Sequence, residues 1–181
     1  MGIWVLRYGH RVGRDARASM HVALTARALG ADGVILCGEK DDALLERIKK
    51  IVQNWGGCFK ARYSQDWRGE VEKFKKDGGC FVHLTMYGQP VQKKINAIRK
   101  KSKRCLVLVG SQKVPIEAYH LADYNVAVTN QPHSEIAALA VFSDRYFEGK
   151  ELGKKWSGKI MITPADTGKR IMVREEKRKY K

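Results

Sequence analysis

At 181 residues, 44% of them hydrophobic, the chain is sized for one domain with a real core and a short extension. It has no run of about 18 apolar residues, which excludes a membrane-spanning helix. The apolar start, Met1–Tyr8, is too short for a secretory core and is crowded by Arg7, His10 and Arg11, so a cytosolic protein is expected.

Lys and Arg number 35 against 19 Asp and Glu, a net charge of +16. Residues 164–181 hold seven Lys/Arg and three acids, so most of the excess belongs to residues 1–163. We therefore divide the chain into a folded domain, 1–163, and a basic extension, 164–181. A folded body with this charge calls for a polyanionic partner, nucleic acid first.

Ile3–Tyr8 reads as a strand, Gly9–Arg17 as a basic loop, and Ala18–Leu29 as a helix closed by Gly30. Gly33–Cys37 is a continuous apolar run, the pattern of a buried parallel strand. Asp41–Trp55 carries Leu44, Leu45, Ile48, Ile51, Val52 and Trp55 at helical spacing. Phe59–Tyr63 is a weaker strand and Asp66–Lys76 a polar helix. The second half continues with strand Cys80–Leu84, helix Pro90–Lys101, strand Cys105–Val109, short helix Pro115–Leu121 and strand Asn125–Thr129. Helix Ser134–Phe147 follows, apolar nearly all round, and a solvated tail is expected from Arg174. Strands alternating with helices predict an α/β fold, a mostly parallel sheet with helices on both faces.

The cysteines, Cys37, Cys58, Cys80 and Cys105, lack Cys-x-x-Cys spacing and the five histidines lack ligand spacing, so no metal site is expected. Each cysteine lies in or beside an apolar run and is expected to be a buried thiol.

Five patterns could carry chemistry. Arg11, Arg14, Asp15, Arg17 and His21 run into the first helix, where cations oppose the helix dipole unless an anion joins them. Asp15 capping that helix and pairing with an arginine is the plainer reading. Three strand ends, at His83–Gln89, Gly110–Val114 and Val128–Glu135, have similar make-up and would cluster if their strands are neighbours, since parallel α/β sheets bind ligands at carboxyl ends. Lys93–Arg104 holds seven Lys/Arg and no acid; Arg11, Lys93, Lys94, Lys100 and Lys101 are the candidate RNA-binding cations. Neither a P-loop nor Gly-x-Gly-x-x-Gly is present. These patterns stop at a basic α/β domain with a ligand site at its strand ends. A non-catalytic RNA-binding domain and another small nucleotide-binding enzyme stay open.

Arg14-Asp-x-Arg17-x-x-x-His21, Leu108-Val-Gly-Ser-Gln-Lys-Val114 and Asn125-Val-x-Val-Thr-Asn-Gln-Pro-His-Ser-Glu-Ile136, taken together, resemble the archaeal tRNA cytidine-56 ribose 2′-O-methyltransferases of the SPOUT superfamily. The resemblance runs from about Val5 to Ile162. It implies a C-terminal deep trefoil knot, S-adenosylmethionine as cofactor, tRNA as substrate and a homodimer. Methylation of another RNA nucleotide is the alternative within that superfamily. Leu84 and Thr85 would form a first cofactor loop. Gly110, Ser111, Gln112, Lys113 and Val114 would form a second. Val128, Thr129, Asn130, Gln131, Pro132, His133, Ser134 and Glu135 would form a third. Relatives in the ribose-methylating branch carry an Asn and an Arg six residues apart at the first helix; Ala18 and Leu24 stand there, so the catalytic role passes to Arg14 or Arg17.

Overall fold

The computed structural model describes residues 1–174; of the expected tail, all but Arg174 lies outside the described residues. The elements are β1 (Gly2–His10), α1 (Val12–Ala28), β2 (Gly33–Gly38), α2 (Asp42–Trp55), β3 (Lys60–Tyr63), α3 (Trp67–Lys76), β4 (Cys80–Pro90), α4 (Val91–Lys101), β5 (Arg104–Gly110), α5 (Ile116–Leu121), β6 (Tyr124–Ala127) and α6 (Glu135–Phe147). A 3-10 turn (Lys150–Gly153) leads to a hairpin, β7 (Ile160–Thr163) and β8 (Arg170–Val173).

Six parallel strands form one sheet in the order β3-β2-β1-β5-β4-β6. The side-chain period of two sorts the strand residues onto two cores. Ile3, Val5, Val34, Leu36, Val82, Val107 and Val109 face one way and meet α1, α2, α4 and α6. Leu6, Ile35, Phe81, Leu106 and Leu108 face the other way and meet α3 and α5. Strands buried on both faces must be apolar throughout, which is why they read as continuous runs. Among the described residues no helix is long and apolar enough to cross a membrane.

The β7–β8 hairpin is a separate antiparallel pair, and the 163/164 boundary falls in its loop. It is anchored where Gly56 and Gly158 let two backbones touch and where the Trp156 ring covers Gly57. Arg27 stacks on Trp156 at 4.7 Å and donates to the Gly56 carbonyl at 2.7 Å. The hairpin leaves Ile162, Ile171 and Val173 exposed.

Three expectations are corrected. Residues 12–17 are helical, so Arg14 and Arg17 lie on α1 rather than in a loop. The helix starts early because the Val12 N–H is taken at 2.7 Å by Glu39, a carboxylate 27 residues away that supplies the missing anion. Asp15 does pair with Arg11, at 2.8 Å, but the N-cap position is Arg11 and has no side-chain cap. Cys58 is exposed; Cys37, Cys80 and Cys105 are buried, and burial pushes the Cys37 thiol up to about 12. Helix α6 is less bare than its composition suggests, because α1 and α4 cover Leu139, Phe142 and Tyr146. Its open face is Ala137, Val141 and Arg145.

Candidate functional site

β5, β4 and β6 are adjacent, so the three strand ends meet. β4 pairs with β6 up to Leu84 and resumes at Gln89, where Val126 serves as partner twice. Residues 85–88 thus bulge out of the β4–β6 ladder as a loop within β4. Gly88 sits against the Asn125–Val126 backbone, where a Cβ would lie 2.5 Å from the Val126 nitrogen. Asn130 clamps the loop from the other side, its Nδ2 donating to the Met86 carbonyl at 2.6 Å and the Gly88 carbonyl at 3.2 Å.

Between the loops lies a cleft of about 420 Å³, within the range of small-molecule sites. Of the expected cofactor residues, Leu84, Thr85, Gly110, Gln112, Lys113, Val114, Pro132, His133 and Glu135 line it. The others serve the loops instead. Ser111 Oγ donates to the Tyr8 carbonyl at 2.8 Å, Thr129 Oγ1 accepts from the Gln131 N–H, and Ser134 caps α6 by accepting from the Ile136 N–H at 3.1 Å. Val128 is half-buried against the core.

His83, Met86 and Tyr87, from the expected strand end His83–Gln89, line it as well, while Tyr119, Val126 and Ala138 escaped sequence reasoning. His83 is buried and stacks edge-on with Tyr119 at 4.4 Å. Its Nδ1 lies 3.0 Å from Asn125 Oδ1, and burial lowers its pKa, so it is a neutral ring at pH 7. Tyr119 in turn shares a 3.2 Å hydrogen bond with Thr85. The wall is therefore neutral and polar on this side, and apolar at Leu84, Val109, Val126 and Ala138.

Beneath the cleft runs a buried polar chain that the sequence did not announce. Arg7 is 0% exposed. Its Nε donates to Ser19 Oγ at 3.2 Å, Nη1 to the Gly110 carbonyl at 2.8 Å, and Nη2 to Glu135 Oε1 at 3.0 Å. Ser19 Oγ also meets His10 Nδ1 at 2.9 Å, and His10 Nε2 meets Asp41 at 3.3 Å. Asp41 caps α2 through the Leu44 N–H.

The arginines chosen for catalysis do not line the cleft of their own chain. Arg14, Arg17 and His21 are exposed on one face of α1, without an ion-pair partner among the described residues. This helix begins at the carboxyl end of β1, the same end of the sheet as the cleft. Of the candidate RNA cations, Arg11 is held by Asp15 and Lys101 by Asp123 at 3.0 Å. Lys93 and Lys100 are exposed, and Lys94 flanks a second hollow with Tyr87 and Gly88.

This sheet and its loops place the chain in a known structural class. It is similar to the SpoU methyltransferase AviRb of Streptomyces viridochromogenes, with a TM-score of 0.61 at 15% identity over 84% of this chain and 61% of that one. It is also similar to the TrmH/SpoU tRNA modifying enzyme of A. aeolicus, with a TM-score of 0.54 at 15% identity over 82% of this chain and 76% of that one. The fold is thus that of the SpoU/TrmH methyltransferases.

Within that class, the family described as tRNA ribose 2′-O-methyltransferase, aTrm56, matches residues 55–172, and the chain belongs to this family. The tRNA (cytidine(56)-2′-O)-methyltransferase of Thermoplasma volcanium is 50% identical over 171 residues, 94% of this chain and 49% of that protein. The enzyme of the same name from Picrophilus torridus is 52% identical over 93% of this chain and 48% of that protein. The chain thus spans about half the length of these two relatives. It spans all of the Methanocaldococcus jannaschii enzyme of that name, at 50% identity over 182 residues.

Proposed function

We propose that the chain methylates the ribose 2′-oxygen of a tRNA nucleotide, the cytidine at position 56, with S-adenosylmethionine as donor. The observation that carries this reading is the family match joined to the three-loop cleft. AviRb, of the same fold, has been crystallised with that cofactor. The cleft suits it chemically. Gly110 lets the backbone come close, the apolar wall suits an adenine face, and the Glu135 carboxylate, with a third of its surface exposed, offers a counter-charge for a cation.

When bound, the cofactor supplies an activated methyl group on a positive sulfur. The chain's own part is to hold that methyl in line with the 2′-oxygen, which supplies much of the acceleration. The methyl–sulfur bond breaks as the methyl–oxygen bond forms, and the hydroxyl proton leaves to solvent. Arginine is hard to deprotonate, so Arg14 and Arg17 orient the ribose and stabilise the developing negative charge rather than remove the proton. Unmodified tRNA transcript should accept radiolabelled methyl at position 56. Labelling elsewhere would reassign the nucleotide, and no labelling would remove the activity.

The net charge of +16 supports tRNA as partner. Binding should weaken by about tenfold or more between about 50 and 200 mM salt, because each neutralised phosphate steepens the log–log slope by about 0.9. Affinity measured by anisotropy that stays flat over that range would refute phosphate contacts.

The same reading makes the chain a cytosolic homodimer. The support is α6, whose open face of Ala137 and Val141 lets another helix approach closely, and the arginines standing outside their own cleft. Light scattering at micromolar concentration should return twice 20.5 kDa; a 20.5 kDa species would overturn the dimer. A C-terminal knot belongs to the same reading.

A further inference from the structure

A charged side chain with no exposed surface must do something that offsets its desolvation. Arg7 stands on β1 among aliphatic neighbours, and its three donor contacts end on three different elements: Ser19 of α1, Gly110 at the exit of β5, and Glu135, the first residue of α6. A guanidinium is a planar fork with fixed donor directions, so three simultaneous bonds fix three elements relative to one another.

The contact to Gly110 does more than fill a donor. The carbonyl of Gly110 and the N–H of Ser111 belong to one peptide plane. The carbonyl is held by Arg7 and the N–H by the Tyr8 carbonyl at 2.9 Å, so this peptide is pinned at both ends to β1. It is the peptide from which the second loop of the cleft departs. Glu135, where the third loop enters α6, is held through one oxygen only, leaving the other for the cleft.

The remaining contacts form a continuous buried chain. Arg7 Nε–H donates to Ser19 Oγ, Ser19 Oγ lies 2.9 Å from His10 Nδ1, and His10 Nε2 lies 3.3 Å from Asp41 Oδ2. Arg7 is thereby locked from behind as well as in front.

We propose that Arg7 is the positioning residue of the cleft, holding the second and third loops at the separation that admits the cofactor. This rests on the methyltransferase reading above. A lysine at this position keeps the charge but replaces the fork with a point donor that cannot span acceptors on three elements.

Cofactor dissociation constants by calorimetry, melting temperatures and tRNA KM values should be measured for Arg7→Lys, Glu135→Ala and Arg7→Met/Glu135→Ala. We expect Arg7→Lys to bind S-adenosylmethionine about 10- to 100-fold more weakly, the scale of lost charge-assisted hydrogen bonds, with tRNA KM within about twofold. Glu135→Ala strands a buried cation and should lower the melting temperature. Adding Arg7→Met removes that cation, so the double variant should regain most of the melting temperature yet bind the cofactor more weakly still than Glu135→Ala, since the loss of the cleft carboxylate is common to both. Stability and affinity then part ways, as a purely structural role would not allow. Affinity that recovers with melting temperature, or wild-type affinity in folded Arg7→Lys, would overturn the proposal alone. No cofactor uptake by the unaltered chain would overturn it together with the methyltransferase reading.

Discussion

Replacing Arg17 or Arg14 by alanine should slow single-turnover methyl transfer to tRNA by about 10²–10³-fold, the scale of one lost donor to a developing oxyanion. The S-adenosylmethionine dissociation constant should stay within about twofold of the unaltered chain's. Three observations motivate this. Both side chains are exposed on α1 without an ion-pair partner among the described residues, while the acids of that region are already engaged, Asp15 by Arg11 and Glu39 by the Val12 N–H. Two cations left unneutralised near a helix N-terminus are locally unfavourable, so an anion from outside the chain should complete them. Neither residue lines the cleft of its own chain, so their loss should leave its walls intact. Lysine should rescue poorly at the functional position, because it lacks the fork. In a dimer these arginines can serve the partner's cleft. Mixing Arg17→Ala with a cofactor-site variant should then restore activity, and failure of the mixture would confine each arginine to its own chain. Near-normal turnover by both alanine variants would leave the pair as ordinary surface charge.

The parts of this fold that could be read from sequence are those governed by local burial. Cys105–Val109 and Gly33–Cys37 had to be strands because five consecutive apolar residues suit only an element covered on both faces. The three strand ends were legible singly, and their union followed from β5, β4 and β6 being neighbours. What escaped depends on contacts distant in sequence. The start of α1 was misread because its anion comes from Glu39, with no signal within Gly9–Arg17. Arg7 read as a strand residue interrupting an apolar run, since the groups that balance its charge are 12, 103 and 128 residues away. Tyr119 enters the cleft, edge-on to His83, only because α5 packs beside β4. One local signal was available: a lone arginine at an inward position of a strand buried on both faces requires a partner. Asn130 was expected only as part of the third cofactor loop, and the bulge of β4 at residues 85–88 is what gives it a role as a clamp.

Gly110→Val should weaken S-adenosylmethionine binding by about 10- to 100-fold or more while the sheet survives, and the reason lies in the loop itself. A Cβ at this position would lie 2.6 Å from Val114 Cγ2 and 2.9 Å from the Gln112 carbonyl oxygen. The first neighbour is a side-chain methyl with some freedom to turn. The second is backbone, and it can give way only if the Gly110–Val114 turn opens. Valine is worse than alanine because its branches extend the clash, and overpacking of this kind costs about 1–3 kcal/mol, or roughly one to two decades in affinity. Opening the turn moves the Gly110 carbonyl away from Arg7 Nη1, so the pinned peptide is lost together with the loop shape. The interior of β5 should hold, because Leu106, Val107 and Leu108 lie at least two residues before the substitution and pack on both faces of the sheet. Far-ultraviolet circular dichroism should therefore be unchanged, and tRNA affinity should fall far less than cofactor affinity. Gly110→Ala should lie between the two, since it meets the same carbonyl with a smaller group. A folded Gly110→Val variant with unchanged calorimetric affinity would place the cofactor elsewhere and remove the second loop from the site.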